Sequence, residues 1–147
     1  MPRNLVPPAA IIDTGAIIAI IAVDEFWHEP CLQALISLQL PLLTTEAVLT
    51  ELFHLIAARN LRVDRAWKFA RSGALSVRPL ADSDLPALQS LMAQYKDRSM
   101  DFTDATLVHL AARESLSTVL TVDHKDFETY RIGGRKHFTI LPTRTAR

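Results

Sequence analysis

Cysteine is nearly absent from the 147 residues: Cys31 stands alone, which excludes an internal disulfide and any cysteine-rich metal site and fits a reducing, cytoplasmic setting. Glycine is almost as scarce. Gly15, Gly73, Gly133 and Gly134 are the whole inventory, so neither a G-x-G-x-x-G dinucleotide loop nor a G-x-x-x-x-G-K-[ST] phosphate loop can be written. His28-Glu29 runs into Pro30-Cys31-Leu32, so the H-E-x-x-H zinc helix fails, and no G-x-S-x-G turn is present to serve a serine hydrolase. No charge of one sign dominates, because 16 Lys and Arg balance 16 Asp and Glu. Long apolar runs are missing too. The longest, Ala16 to Val23, falls far short of the ~20 residues of a membrane span, and Asp13 interrupts any signal-peptide core.

What is present is a chain with 49% apolar and 22% charged residues, enough to bury a core and of a length that suits one domain. Residues 1–8, with Pro2, Pro7 and Pro8, read as a tail ahead of a short apolar strand, Ala9 to Asp13. Thr14 is placed to cap a buried helix beginning at Ala16, and Asp24 to Leu38 continues helically with Phe26, Leu32, Leu35 and Ile36 at core spacing until Pro41. A second strand at Leu42 to Thr44 leads to a helix through Val48, Leu49, Leu52, Leu55 and Ile56. Further helices are expected over Arg62 to Ala74, Asp82 to about Tyr95 and Thr103 to Leu116. Strands are expected over Leu75 to Leu80, Thr118 to Thr121 and, after a Gly133-Gly134 turn, Phe138 to Leu141. Short apolar strands alternating with helices argue for an α/β fold with a parallel sheet covered on both faces. No repeat or linker divides the chain.

Ligands of open α/β sheets sit outside the carboxyl ends of the strands, so the acids that fall there carry the functional argument. Asp13 closes the first strand and Asp123 lies just past the Thr118 to Thr121 strand. Glu51 lies within a helix among Val48, Leu49, Leu52 and Leu55, and the register leaves its direction open. Asp101 and Asp104 flank a helix start, where an N-cap reading competes with a functional one. Gathered together, such carboxylates repel unless a divalent cation joins them, and all-oxygen ligation favours Mg²⁺ or Mn²⁺ over zinc. A site of that kind suits phosphodiester hydrolysis better than hydride or acyl transfer.

The motifs carrying these acids resemble those of the PIN-domain family, specifically the VapC-type toxins of bacterial toxin–antitoxin modules. Ile11-Ile12-Asp13-Thr14-Gly15-Ala16 is similar to the family's opening strand, Leu43 to Leu52 to the segment carrying its Glu at position 51, Met100 to Val108 to its third motif, and Leu120 to Phe127 to its fourth. The resemblance spans nearly the whole chain and implies one PIN-like domain over 1–147. The implied architecture is a three-layer α/β/α sandwich with a central, mainly parallel sheet. It also implies a metal-dependent endoribonuclease in which Asp13, Glu51, Asp104 and Asp123 are catalytic and hold Mg²⁺ or Mn²⁺. Asp101 and Asp126 are further acidic positions, with Asp126 leaning to a structural role as a turn cap, and Thr14 and Thr121 are expected to orient carboxylates. The implied partners are an RNA substrate, a VapB-type antitoxin and a second copy in a homodimer, with no membrane.

Two stretches are locally basic: Arg59, Arg62, Arg65, Lys68, Arg71 and Arg78 against Asp64, and Arg131, Arg135, Lys136, Arg144 and Arg147 after Glu128. They read either as RNA-phosphate contacts or as solvated faces, with Trp67 a base-stacking or core residue. His124 and Lys125 adjoin the fourth motif and read either as phosphate contacts or, more readily, as surface residues. Two competitors remain on sequence grounds. One is phosphotransfer through an aspartyl phosphate, which lacks its D-x-D-x-T pattern because Gly15 stands two positions after Asp13. The other is a catalytically dormant RNA-binding or interaction module.

Overall fold

The computed structural model describes residues 9–144; the expected tail at 1–8 and the basic Arg147 lie outside them. At the centre is strand β1, Ile11–Ile12, whose two isoleucines are fully buried, as a strand covered on both faces requires. It pairs in parallel with β2 (Leu42–Thr44) on one side and β4 (Thr118–Leu120) on the other. β3 (Leu75–Val77) and β7 (Thr139–Leu141) form the edges, giving a five-stranded parallel sheet in the order β3-β2-β1-β4-β7. Helices flank this sheet in the expected α/β/α arrangement. Among the described residues none is long and apolar enough to cross a membrane.

Helix α1, Thr14–Ile21, is apolar almost all round and buries Ala16, Ile17, Ile18 and Ala19, so it packs against α2 (His28–Ser37), α3 (Glu46–Ala58) and α4 (Val63–Ala70). α6, Phe102–Arg113, packs on β1, on α3 and on α5 (Leu85–Gln94). A buried hydroxyl pair, Thr45 and Thr106 at 2.9 Å, fastens the start of α3 to α6, while Thr45 also caps α3 by accepting the Val48 N–H. Around Asp84, an ion-paired cluster joins α6 to the short 3-10 turn before α5: its carboxylate accepts from the Ala81 N–H, His109 and Arg113.

Several expectations need correction. The helix expected to run on through Asp24 to Leu38 is broken, because the chain bends at residues 22–27 and α2 starts only at His28. One helix from Thr14 to Leu38 would be about 37 Å long, beyond the diameter of a small domain, whereas the bend lets α2 fold back on α1. As a result Phe26 and Ile36 are exposed rather than core residues. Asp13, not Thr14, is the N-cap of α1. The Gly133-Gly134 turn, with φ of +60° and +80°, does not lead directly to the last sheet strand; it closes a small antiparallel hairpin of β5 (Arg131–Ile132) and β6 (Lys136–His137). That hairpin, and the short helix α7 (His124–Thr129) before it, escaped the periodicity reading.

Candidate active site

Parallel register puts the ends of β1 and β4 side by side: Ile12 pairs with Leu120, and the Asp13 N–H donates to the Leu120 carbonyl at 3.0 Å. Asp13 and Thr121 therefore leave the sheet together. The Asp13 Oδ1 accepts the Thr14 N–H at 2.7 Å, and its Oδ2 accepts the Thr121 hydroxyl at 3.2 Å. Thr121 Oγ1 in turn accepts the Asp123 N–H at 3.0 Å, so one hydroxyl fixes both the first acid and the backbone of the fourth. The expected orienting role thus fits Thr121 but not the Thr14 side chain. The Thr14 hydroxyl is buried without a hydrogen-bond partner among the described residues, and only its backbone N–H reaches Asp13.

Asp13 is 3% exposed, and burial pushes its carboxyl up to about 8, with the charges of Asp123, Asp104 and Glu51 adding to the effect and the Thr14 N–H opposing it. The other three family-motif acids thus all act electrostatically on this one carboxyl. Asp104, in the first turn of α6, is half-buried and pushed up to about 7 by desolvation and by Asp101, Asp126 and Asp123. Against those charges, the Tyr130 hydroxyl donates to Asp104 Oδ2 at 2.8 Å. Burial of that hydroxyl, and the carboxylate it faces, push the Tyr130 phenol well above its ordinary value. Asp123, at the solvent edge, is raised by the surrounding protein first and then by Asp126, Glu51 and Asp101. Glu51 is half-buried on α3 and lines a cleft with His54, Phe102 and Thr103.

Asp101 takes the N-cap position of α6, its Oδ1 accepting the Asp104 N–H at 2.8 Å, and its charge also bears on Asp104 and Asp123. Asp126 in the first turn of α7 bears on the same two acids, so it stands within the cluster electrostatically. Glu46 is an exposed first-turn residue of α3. Among the described residues, no three His, Cys, Asp or Glu side chains are gathered tightly enough to enclose an ion unaided.

Residues near this site depart from the sequence reading. His124 is 6% exposed: its Nε2–H donates to the Pro142 carbonyl at 2.6 Å, and its ring lies 5.0 Å from that of Trp27. Trp67 is not a core residue; it is half exposed on α4 with its ring 4.6 Å from Phe53. Many basic residues are engaged: Arg62 with Asp64, Arg78 with Glu114, Arg144 with Glu128, and Arg131 with three backbone carbonyls. Tyr130 and Trp27 were missed altogether. No local motif marks Tyr130, because its link to Asp104 depends on packing against Tyr95 and Phe127.

Comparison with known proteins extends the geometric result. A PIN domain family model matches residues 10–132. Ribonuclease VapC26 of Mycobacterium tuberculosis (strain ATCC 25618 / H37Rv) is 30% identical over 142 residues, an alignment spanning 90% of this chain and 99% of that protein. Among solved structures, the Mycobacterium tuberculosis toxin VapC20, described as cleaving the Sarcin-Ricin loop, matches with a TM-score of 0.68 at 18% identity. That match covers 80% of this chain and 93% of the toxin and bears on the fold.

Proposed function

Since the chain belongs to the PIN-domain family, we propose that it is a divalent-metal-dependent endoribonuclease, the toxin of a VapBC-type pair, acting in the cytoplasm through a single domain over 1–147. The observation that carries this reading is the buried Asp13 carboxyl, raised to about 8 in the company of Asp104, Asp123 and Glu51. Such a group is costly unless positive charge joins it, and every candidate donor is a carboxylate oxygen, the set that suits Mg²⁺ or Mn²⁺. Asp13, Glu51, Asp104 and Asp123 would hold such an ion. Bound there, the ion supplies a polarised water and charge compensation at the scissile phosphodiester.

The chain's own residues do the positioning. Thr14 N–H and Thr121 hydroxyl leave Asp13 little freedom to rotate, and the same Thr121 oxygen holds the Asp123 backbone. Tyr130 fixes one oxygen of Asp104. Asp101 and Asp126 add negative charge at the rim, which favours a cation and disfavours a bare phosphate. An acid cleft of this type offers an antitoxin a place to insert a basic side chain; a VapB-type antitoxin and a homodimer are the proposed assemblies.

The test incubates antitoxin-free protein with total cellular RNA in Mg²⁺, in Mn²⁺ and in chelator, beside Asp104→Asn, and maps new RNA ends by sequencing. Discrete ends that need both metal and Asp104 are expected and would identify the target. No cleavage by folded protein that binds Mn²⁺ would favour the dormant-module reading instead.

A further inference from the structure

The bend that interrupts the expected long helix places Trp27 beside the acid cluster. A cleft of about 470 Å³ opens there, lined by Trp27 and Val122 and by Asp123, Lys125, Asp126 and Arg144. It is within the size range of small-ligand sites and is continuous with the candidate active site through Asp123. Its chemistry is mixed in a particular way. The indole is half-buried, with the tilted His124 ring 5.0 Å away and the Phe26 ring edge-on at 5.4 Å, contacts that restrict its motion while leaving it part of the cleft wall. Lys125 is exposed, and its ammonium enters no ion pair among the described residues. Arg144 is paired with Glu128 at 2.8 Å.

With Asp123 committed to the ion, Asp126 is the carboxylate of the lining that accepts hydrogen bonds from a neutral partner with N–H groups on its edge, as nucleobases have. An aromatic platform completes the match, since unpaired RNA bases are commonly splayed out and stacked on aromatic side chains. Resting on the ribonuclease reading, we propose that this cleft is a nucleobase subsite: one base of single-stranded RNA, next to the bond to be cut, stacks on Trp27 while Lys125 meets a neighbouring phosphate. Trp27 is then a specificity-determining residue of the site.

The chain has two tryptophans, so Trp67→Phe leaves Trp27 as the sole indole reporter. In an Asp104→Asn, Trp67→Phe protein, titration with single-stranded homopolymer oligonucleotides should quench Trp27 fluorescence saturably, and duplex RNA should not. Replacing Trp27 with Ala should weaken oligonucleotide binding, read by anisotropy, by about 10- to 100-fold, with Trp27→Phe retaining most of it. In otherwise native protein, Trp27→Ala should raise KM for RNA more than it lowers kcat, and should blur the cleavage positions. Binding detected by anisotropy with no change in Trp27 emission overturns the proposal, as does unaltered affinity in a folded Trp27→Ala protein. If native protein cleaves RNA but Trp27 is silent, the subsite alone fails; if it neither binds nor cleaves RNA, the ribonuclease reading falls with it.

Discussion

Asp13→Asn is expected to stabilise the metal-free fold while abolishing RNA cleavage. The wild-type carboxyl has its proton released near the ordinary 3.8 in the unfolded chain but at about 8 in the folded one. At pH 7 the fold therefore keeps a proton that the unfolded chain gives up, at a cost of about 1.36 kcal/mol per pH unit above 3.8, or roughly 4 kcal/mol. Asparagine removes that cost. Its oxygen can still accept the Thr14 N–H, and its amide can donate to Thr121, whose hydroxyl has a second lone pair beyond the one given to Asp123. After small losses in geometry, a gain of about 2–4 kcal/mol at pH 7 is the expected outcome.

The sign fixes the pH profile. A raised carboxyl contributes its full relative stability below the unfolded value of 3.8 and loses it as pH rises through about 8, so the advantage of the variant should grow from pH 5 to pH 8 and then level off. Denaturant unfolding of both proteins in chelator, across that range, measures the difference directly. Mg²⁺ should reverse the ranking, because an ion bound to the folded wild type stabilises it by mass action while the variant gains less. A variant no more stable than wild type at pH 8 in chelator, or an advantage independent of pH, would refute the electrostatic argument.

Tyr130→Phe removes the hydroxyl that donates to Asp104 Oδ2 and should weaken Mn²⁺ binding by about 10- to 100-fold with the fold retained, as calorimetric titration would show. Gly15→Ala places a Cβ 2.7 Å from Val122 Cγ2, a clash expected to cost about 1–3 kcal/mol and to disturb the approach to Asp123; adding Val122→Ala should restore both thermal stability and cleavage. Asp84→Asn should lower the melting temperature without slowing cleavage. The Asp84 carboxyl lies below its ordinary range through the Ala81 N–H first, then His109 and Arg113, so the deficit should be present at neutral pH and shrink as wild type is acidified below about pH 4.

The acids were legible because strand ends and helix starts have short-range signatures. Ile11-Ile12 before Asp13, and Asp101 three residues before Asp104, declare a strand end and a cap without any knowledge of what packs against them. Glu51 was legible only by its resemblance to a family motif, since helical spacing left both of its possible directions open. What escaped depends on distant partners. The bend at residues 22–27 is the exception, because Pro30 in the first turn of α2 is a local signal against a helix continuous through Asp24 to Leu38; the bend left Phe26 on the surface and Trp27 at the cleft. His124 reads as a surface residue because nothing nearby announces that the Pro142 carbonyl will accept a hydrogen bond from its ring N–H. Tyr130 carries no signal until Asp104, 26 residues earlier, is brought beside it.

The sheet order bears on how such an enzyme is made. The central strand β1 is synthesised first, but one of its two neighbours, β4, comes last but one in the sheet, and the Thr121 hydroxyl that orients Asp13 lies 108 residues downstream. During synthesis, at about 5–20 residues per second, the chain holds its first acid for several seconds before the partners that orient it exist. Truncated or still-growing chains therefore lack an assembled site. A nuclease on this plan becomes competent only once β4 and the turn behind it have left the ribosome, so the order of the sheet strands delays the assembly of its site.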